Sequence, residues 1–209
     1  MKDNKPKSDY MIGLRDQILQ AAMNAFIQKG IRAVKMDDIA HSLGISKRTL
    51  YEIYDNKELL LLEGVKEYKM RKDAEMKAFY EASPNVMDII MKAYTLKVEE
   101  FNQTCPEFYG DIIRYPSVIS YLQKDKEKSF RNLVGFLQRG VDEGYFRNDL
   151  NIYLVADMFS TLIYHVSEAR IYKKHTLEEI FHNLFFIPLR GICTSKGVQL
   201  LEQKIDVKG

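Results

Sequence analysis

The chain has no tryptophan, two cysteines and five prolines among 209 residues, and each shortage narrows what it can be. Cys105 and Cys193 stand far apart and form no C-x-x-C. That spacing supports neither a disulfide scaffold nor a thiolate zinc site. The expectation is two reduced, small apolar residues, with a redox-sensing pair as the sharper alternative. No run approaches the roughly 18 apolar residues that a membrane span needs. The first ten residues, MKDNKPKSDY, are charged and hold no apolar core of a secretory leader, so a cytoplasmic chain is expected. An excess of one charge is missing too. Lys and Arg number 31 against 29 Asp and Glu, a formal charge of +2. Residues 1–60 hold 10 Lys and Arg against 8 Asp and Glu, so the small excess sits there. Nucleic-acid binding by bulk charge is thereby excluded, and any such binding must come from a few placed cations. G-x-S-x-G, the P-loop and G-x-G-x-x-G are all absent, which removes the common signposts of hydrolase, nucleotide and dinucleotide chemistry. Strand signals, internal repeats and low-complexity stretches are absent as well.

What is present is helical patterning, and it is sharpest at residues 34–60, VKMDDIAHSLGISKRTLYEIYDNKELL. Met36, Ile39, Ala40 and Leu43 fall at i, i+3, i+4, i+7, one face of a helix. Gly44 follows where a left-handed C-terminal cap is wanted, and Ile45 turns back toward a core. Ser46 stands at an N-cap position. Leu50, Ile53 and Tyr54 form the buried stripe of the next helix, which leaves Lys47, Arg48, Thr49, Tyr51 and Glu52 outward. This is helix-turn-helix spacing. Its outward groups are charges, hydroxyls and a ring, the groups that meet phosphates and base edges in the major groove. By spacing alone the segment also fits a corner of an all-α protein with no DNA partner. Arg48 is the candidate for bidentate reading of guanine, while Glu52 either accepts from a cytosine amine or is simply solvated.

The wording of the segment adds to this. A long helix ending at Gly30, then DDIA, LGIS, TLY and NKEL in this order and spacing, closely resembles the N-terminal domain of the tetracycline-repressor (TetR/AcrR) family of bacterial transcription regulators. The likeness covers about residues 12 to 62. It implies an all-α fold of about nine helices: a three-helix DNA-binding domain at 10–57 and a helical ligand-binding and dimerisation domain at 58–209. It implies DNA contacts from Thr49, Tyr51 and Lys57, alongside Lys35, Ser46, Lys47 and Arg48 on the same surface. The family's usual Thr or Ser cap on the second helix is replaced here by Val34 and Lys35, with Lys35 offered as a cation in its place. The partner implied is double-stranded DNA with a near-palindromic operator.

The remaining chain reads as further helices. Leu14, Ile18, Ala22, Ala25 and Phe26 make the stripe of the first. A long helix starts at Asn56-Lys57, with Leu59, Leu62, Val65, Met76 and Phe79 apolar, and ends at Ser83-Pro84. Others run from Pro84, through a short piece at 107–113, from Pro116 to Glu143, from Asn151, and from the T-x-x-E capping box Thr176–Glu179 to Ile192. Pro188 is expected to bend the last, and the tail from Thr194 shows little periodicity. Residues 1–9 read as a polar arm.

Met87, Met91, Tyr94, Phe101, Phe108, Tyr109, Phe136, Met158, Phe159 and Tyr164 make this half rich in methionine and aromatics. Each is ordinary core material. Together they also suit an apolar pocket, which the resemblance places among the middle helices for an unknown small-molecule effector. The last two helices carry more apolar surface than one core covers, so a homodimer is expected through Val155, Phe159, Leu162, Val166, Phe181, Leu184 and Phe185. Four histidines give one E-x-x-H, Glu179–His182, and the reversed His165–Glu168. That is half of a di-iron signature without its other half, so no metal, cofactor or catalytic residue is expected. The sequence reads as a ligand-responsive regulator that leaves its operator when an effector binds. The rival is a helical small-molecule-binding protein or enzyme without a DNA partner.

Overall fold

The computed structural model describes residues 5–82 and 85–206, with the backbone alone at 5–9, 167, 168 and 206. Residues 1–4 of the expected arm, the Ser83-Pro84 helix boundary and the Glu168 side chain lie outside the described residues. From Lys5 onward the expected arm is helix instead, as the start of α1.

The described residues form no strand, only one isolated backbone bridge between Phe146 and Cys193. The helices are α1 (Lys5–Lys29), α2 (Met36–Ser42), α3 (Lys47–Ile53), α4 (Lys57–Ala82), α5 (Val86–Gln103) and α6 (Pro106–Ile112). There follow α7 (Pro116–Gln123), α8 (Lys126–Asp142), α9 (Ile152–Glu168), α10 (Leu177–Ile180), α11 (Ile187–Ile192) and α12 (Ser195–Asp206). A 3-10 turn spans Ile171–Lys173, and a π-helical stretch, Phe181–Phe186, joins α10 to α11. No helix among the described residues is long and apolar enough to cross a membrane.

Three boundaries differ from the sequence reading. The helix expected from Pro116 to Glu143 is two helices, parted at Lys124-Asp125. Thr176 to Ile192 is helical throughout but changes pitch ahead of Pro188, which has no N–H to give an α-helical ladder. The tail beyond Thr194 is helix α12, because Leu201 is fully buried in a core with Val198 and Ile205 packed nearby.

The chain folds into two compact units. Unit 1 comprises the residues up to Ala74 together with Asn102–Lys124; unit 2 comprises Glu75–Phe101 and the residues from Asp125 onward. The sequence predicts a single cut after residue 57, whereas the packing divides α4 and returns α6 and α7 to unit 1. The reason is apolar: Val118 of α7 is fully buried among the side chains of α1 to α4, and Phe108, Ile112, Tyr115 and Tyr121 pack on the same cluster.

In unit 1 the expected stripe of α1 is the core: Leu14, Ile18, Ala22 and Phe26 are buried. On α4 the buried residues are Leu60, Leu61, Gly64 and Val65; of the expected apolar positions Val65 is buried, Leu62 packs on the same cluster and Leu59 is exposed. Unit 2 has its own core, centred on Val86, Met87, Leu137, Ala156, Phe186 and Leu201.

Candidate nucleic-acid interface

Local chemistry builds the corner between α2 and α3. Gly44 has φ +65, where a Cβ would strain the backbone. Its N–H donates to His41 O and that of Ile45 to Ala40 O, both at 3.1 Å, closing the end of α2. Ile45 packs on the unit 1 core. Ser46 Oγ accepts the Thr49 N–H at 3.0 Å, capping α3, and lies 2.8 Å from Thr49 Oγ1. Leu50 and Tyr54 are buried and anchor α3. At the start of α2, the Lys35 N–H donates to Asp38 Oδ2 at 2.8 Å, while the Lys35 side chain makes no cap hydrogen bond in place of the missing Thr or Ser.

Fixing the buried side of α3 fixes the opposite one. Lys35, Ser46, Lys47 and Arg48 are exposed, Tyr51 is 46% exposed and Thr49 is half-buried. Their charges are held in place. Lys47 pairs with Asp37 of α2. Arg48 Nε donates to Glu52 Oε1 at 2.9 Å, one turn on, with its side chain 89% exposed. That contact uses Nε and leaves the guanidinium's terminal nitrogens, the fork that reads guanine, outside it. Both cations are held above their ordinary pKa, Lys47 chiefly by its hydrogen bond to Asp37 and Arg48 by that to Glu52. Glu52, its side chain 56% exposed, accepts that Arg48 hydrogen bond.

Lys57 is placed differently. Its Nζ donates to Ile31 O and Val34 O, each at 2.8 Å, and takes two of the ammonium's three donors. It braces the connector between α1 and α2. Burial pushes its pKa down, and Asp111 and Asp38 pull it back up. Spacing did not reveal Asp37, Asp111 or the role of Glu58, whose carboxylate accepts the Ser117 hydroxyl at 2.7 Å and N–H at 3.1 Å at the start of α7. Only the i, i+4 pair Arg48–Glu52 carried a sequence signal.

The proposed pocket residues are divided between the two units. Phe108 and Tyr109 belong to unit 1, in edge contact with each other. In unit 2, Met87 and Met91 are buried core, and Tyr94 packs edge-on against Phe181 and Phe186 at 5.0 and 5.3 Å. Phe136 contacts Phe146, Phe101 contacts Tyr172, and Tyr164 is exposed. A void beside Phe146, lined also by Leu137, Val141, Leu150 and Ile192, measures about 10 Å³, the room of one water molecule.

Of the expected interface residues, Val155, Phe159 and Phe181 pack against unit 2's own core, while Leu162, Val166, Leu184 and Phe185 are half-buried. The apolar residues that α9 exposes are instead Tyr153, Leu154, Met158, Ile163 and Tyr164. Glu179 caps α10 by taking the Thr176 N–H, as the capping box predicts. Among the described residues no three His, Cys, Asp or Glu side chains gather as metal ligands would.

A three-helix unit whose third helix presents cations, hydroxyls and a tyrosine on its exposed face has the arrangement of a helix-turn-helix DNA-binding regulator. Residues 18–63 match the family model for bacterial regulatory proteins, tetR family. That match spans the helix-turn-helix segment of the chain. The chain is 26% identical over 147 residues to the HTH-type transcriptional repressor KstR2 of Mycobacterium tuberculosis, covering 68% of this chain and 73% of that protein. The structure of that ketosteroid transcriptional regulator aligns with a TM-score of 0.57 at 23% identity, covering 87% of this chain and 95% of the other. The fatty acid metabolism regulator protein of Bacillus subtilis is 26% identical over 170 residues, 78% of this chain and 82% of that one. A transcriptional regulator from Saccharomonospora viridis, solved in complex with choline, aligns with a TM-score of 0.70 at 17% identity over 87% of this chain and 98% of the other.

Proposed function

We propose that the protein is a transcriptional repressor that binds a near-palindromic operator as a homodimer and releases it when a small, mostly apolar molecule binds the helices beyond the DNA-binding domain. The observation that carries this is the docking face of α3, with Lys47 and Arg48 held by Asp37 and Glu52 beside Thr49 and Tyr51. Lys35, Ser46 and Lys57 complete the proposed contact set, Lys57 through its hold on the connector and its remaining donor.

Repression is favoured by the name of the KstR2 relative. An apolar effector agrees with the words ketosteroid and fatty acid in the names of two relatives, and with an interior of unit 2 built from Met87, Met91, Tyr94 and phenylalanines. The void beside Phe146 has room for about one water, so a molecule bound there would displace side chains, which Met and aromatic rotamers permit. Pairing of two copies is supported by the apolar residues left exposed along α9, Leu154 and Met158 among them, since uncovered apolar surface of that extent marks an interface. A dimer would set two recognition helices about 34–36 Å apart, one turn of DNA. Helix α4 supplies residues to both units and is the proposed carrier of the signal. A coupling of about 1–3 kcal/mol is enough for a 5- to 150-fold change in affinity.

The test is a titration of the DNA upstream of the protein's own gene at several salt concentrations, with light scattering on the same sample. A salt-dependent shift by a dimer supports the proposal. A stable monomer at micromolar concentration, or no shift of any upstream fragment, would favour the rival, a helical ligand-binding protein without a DNA partner.

A further inference from the structure

The connector Gly30–Lys35 that sets α2 against α1 has its backbone groups claimed from two directions within unit 1. Lys57 of α4 takes the Ile31 and Val34 carbonyls. From α6, Asp111 Oδ2 accepts the Arg32 N–H at 2.8 Å. The approach is close: Gly30 has φ +82, and a Cβ on it would lie 2.8 Å from Glu107 Cβ and 3.3 Å from Asp111 Oδ2. Just ahead of the connector, the last turn of α1 is tied where the Cys105 N–H donates to Ile27 O at 2.8 Å. The connector ends at Lys35, the N-cap of α2, and α2 carries Asp37, which holds Lys47.

We propose that Asp111 is a positioning residue for DNA binding: it holds the connector by its backbone, and through α2 it sets Lys35 and the Asp37–Lys47 pair. This rests on the reading of α3 as the DNA face. Lys57 lies within electrostatic reach of Asp111, whose carboxylate favours its charged ammonium. An aspartate has no group that a phosphate oxygen can accept a hydrogen bond from, and its charge opposes that of DNA. If charge were all that mattered, removing it would tighten binding. The positioning role gives the opposite sign.

The experiment compares wild type, Asp111→Ala, Asp111→Asn and Arg48→Ala on one upstream DNA fragment across a salt series, with amide exchange at Arg32. Asp111→Ala is expected to weaken binding about tenfold, the scale of one lost hydrogen bond. Its salt slope should be unchanged, because no phosphate contact is lost, and the Arg32 amide should exchange faster. Asp111→Asn keeps an oxygen that can accept the Arg32 N–H and is expected to recover most of the loss. Binding by Asp111→Ala as tight as wild type or tighter would overturn the proposal. So would an Asp111→Asn as weak as Asp111→Ala, which would leave the hydrogen bond without a part. If Asp111→Ala does not fold, Asp111→Ser is read by the same two outcomes. A wild type that shifts no DNA would sink the reading of α3 itself; an Asp111→Ala without effect beside a weakened Arg48→Ala sinks this inference alone.

Discussion

The two units differ in what one helix of each exposes: α3 in unit 1 shows mostly polar groups, whereas α9 in unit 2 shows a row of apolar ones. In unit 1 the cations around the helix-turn-helix are tethered: Lys47 to Asp37, Arg48 to Glu52, Arg15 to Glu63, and Lys57 to two carbonyls. Unit 2 pairs cations too, Arg139 with Glu143 and Arg147 with Asp149 among them, but its helix α9 leaves Tyr153, Leu154, Met158, Ile163 and Tyr164 exposed. A tethered cation has lost side-chain freedom before its partner arrives, so less entropy is left to lose on binding. Unit 1 is thus arranged for one rigid partner of fixed geometry. Unit 2 offers adaptable surface and an interior of methionine and aromatic side chains, which suits a partner whose shape the fold does not dictate.

The comparison breaks most visibly in the cores. Phe26 is fully buried in unit 1 and Leu201 in unit 2. Phe26→Ala is expected to cost about 3–5 kcal/mol and Leu201→Ala about 2–5 kcal/mol. Amide exchange should place the first loss among α1 to α4 and the second around α5, α8 and α12. Uniform acceleration across the whole chain in both variants would deny that the units have separate cores.

A smaller effect sharpens the claim that α3 is preset by its own cap. Ser46→Ala removes the acceptor for the Thr49 N–H and should cost roughly 0.5–2 kcal/mol, with exchange rising in the first turn of α3. An unchanged melting temperature and unchanged exchange there would show that the cap contributes nothing.

The smallest concerns pH. The Ser117 hydroxyl, and after it the Ser117 N–H, hold Glu58 below its ordinary pKa of 4.5. Its folded value is lower than its unfolded one, so the stabilisation is complete above the unfolded value and is lost as pH falls through the folded one. Protection of the α7 amides, relative to their intrinsic exchange rates, should therefore begin to fall as pH drops below about 4.5, and Glu58→Gln should remove that part of the acid response. An acid profile of α7 identical in Glu58→Gln would contradict the hold.

Legibility followed the range of the interaction. Gly44, Ser46 and Leu50 could be read because a cap and an i, i+4 stripe are set within a few residues of themselves, and the structure has all three in their expected roles. The break between α7 and α8 was hidden because Lys124-Asp125 contains no glycine or proline. It falls where the chain passes from unit 1 to unit 2, a change of packing partner that leaves no local mark. Helix α12 escaped because only Val198, Leu201 and Ile205 mark its inner stripe, and its helicity is secured by packing against distant residues. On α9 nearly every position is apolar, so periodicity could not say that Val155 and Phe159 turn inward while Leu154 and Met158 do not. Asp111 and Asp37 act on groups remote from them in sequence, and no spacing rule finds such pairs.

The central claim is that the exposed face of α3 reads DNA, and Arg48 is its sharpest point. The direct measurement is the affinity of Arg48→Ala, against wild type, for the protein's upstream operator and for the same fragment substituted at each position in turn. The account predicts a loss of about 1–3 kcal/mol together with relaxed preference at one base pair in each half-site. Equal affinity and an equal base preference in the two proteins would contradict it.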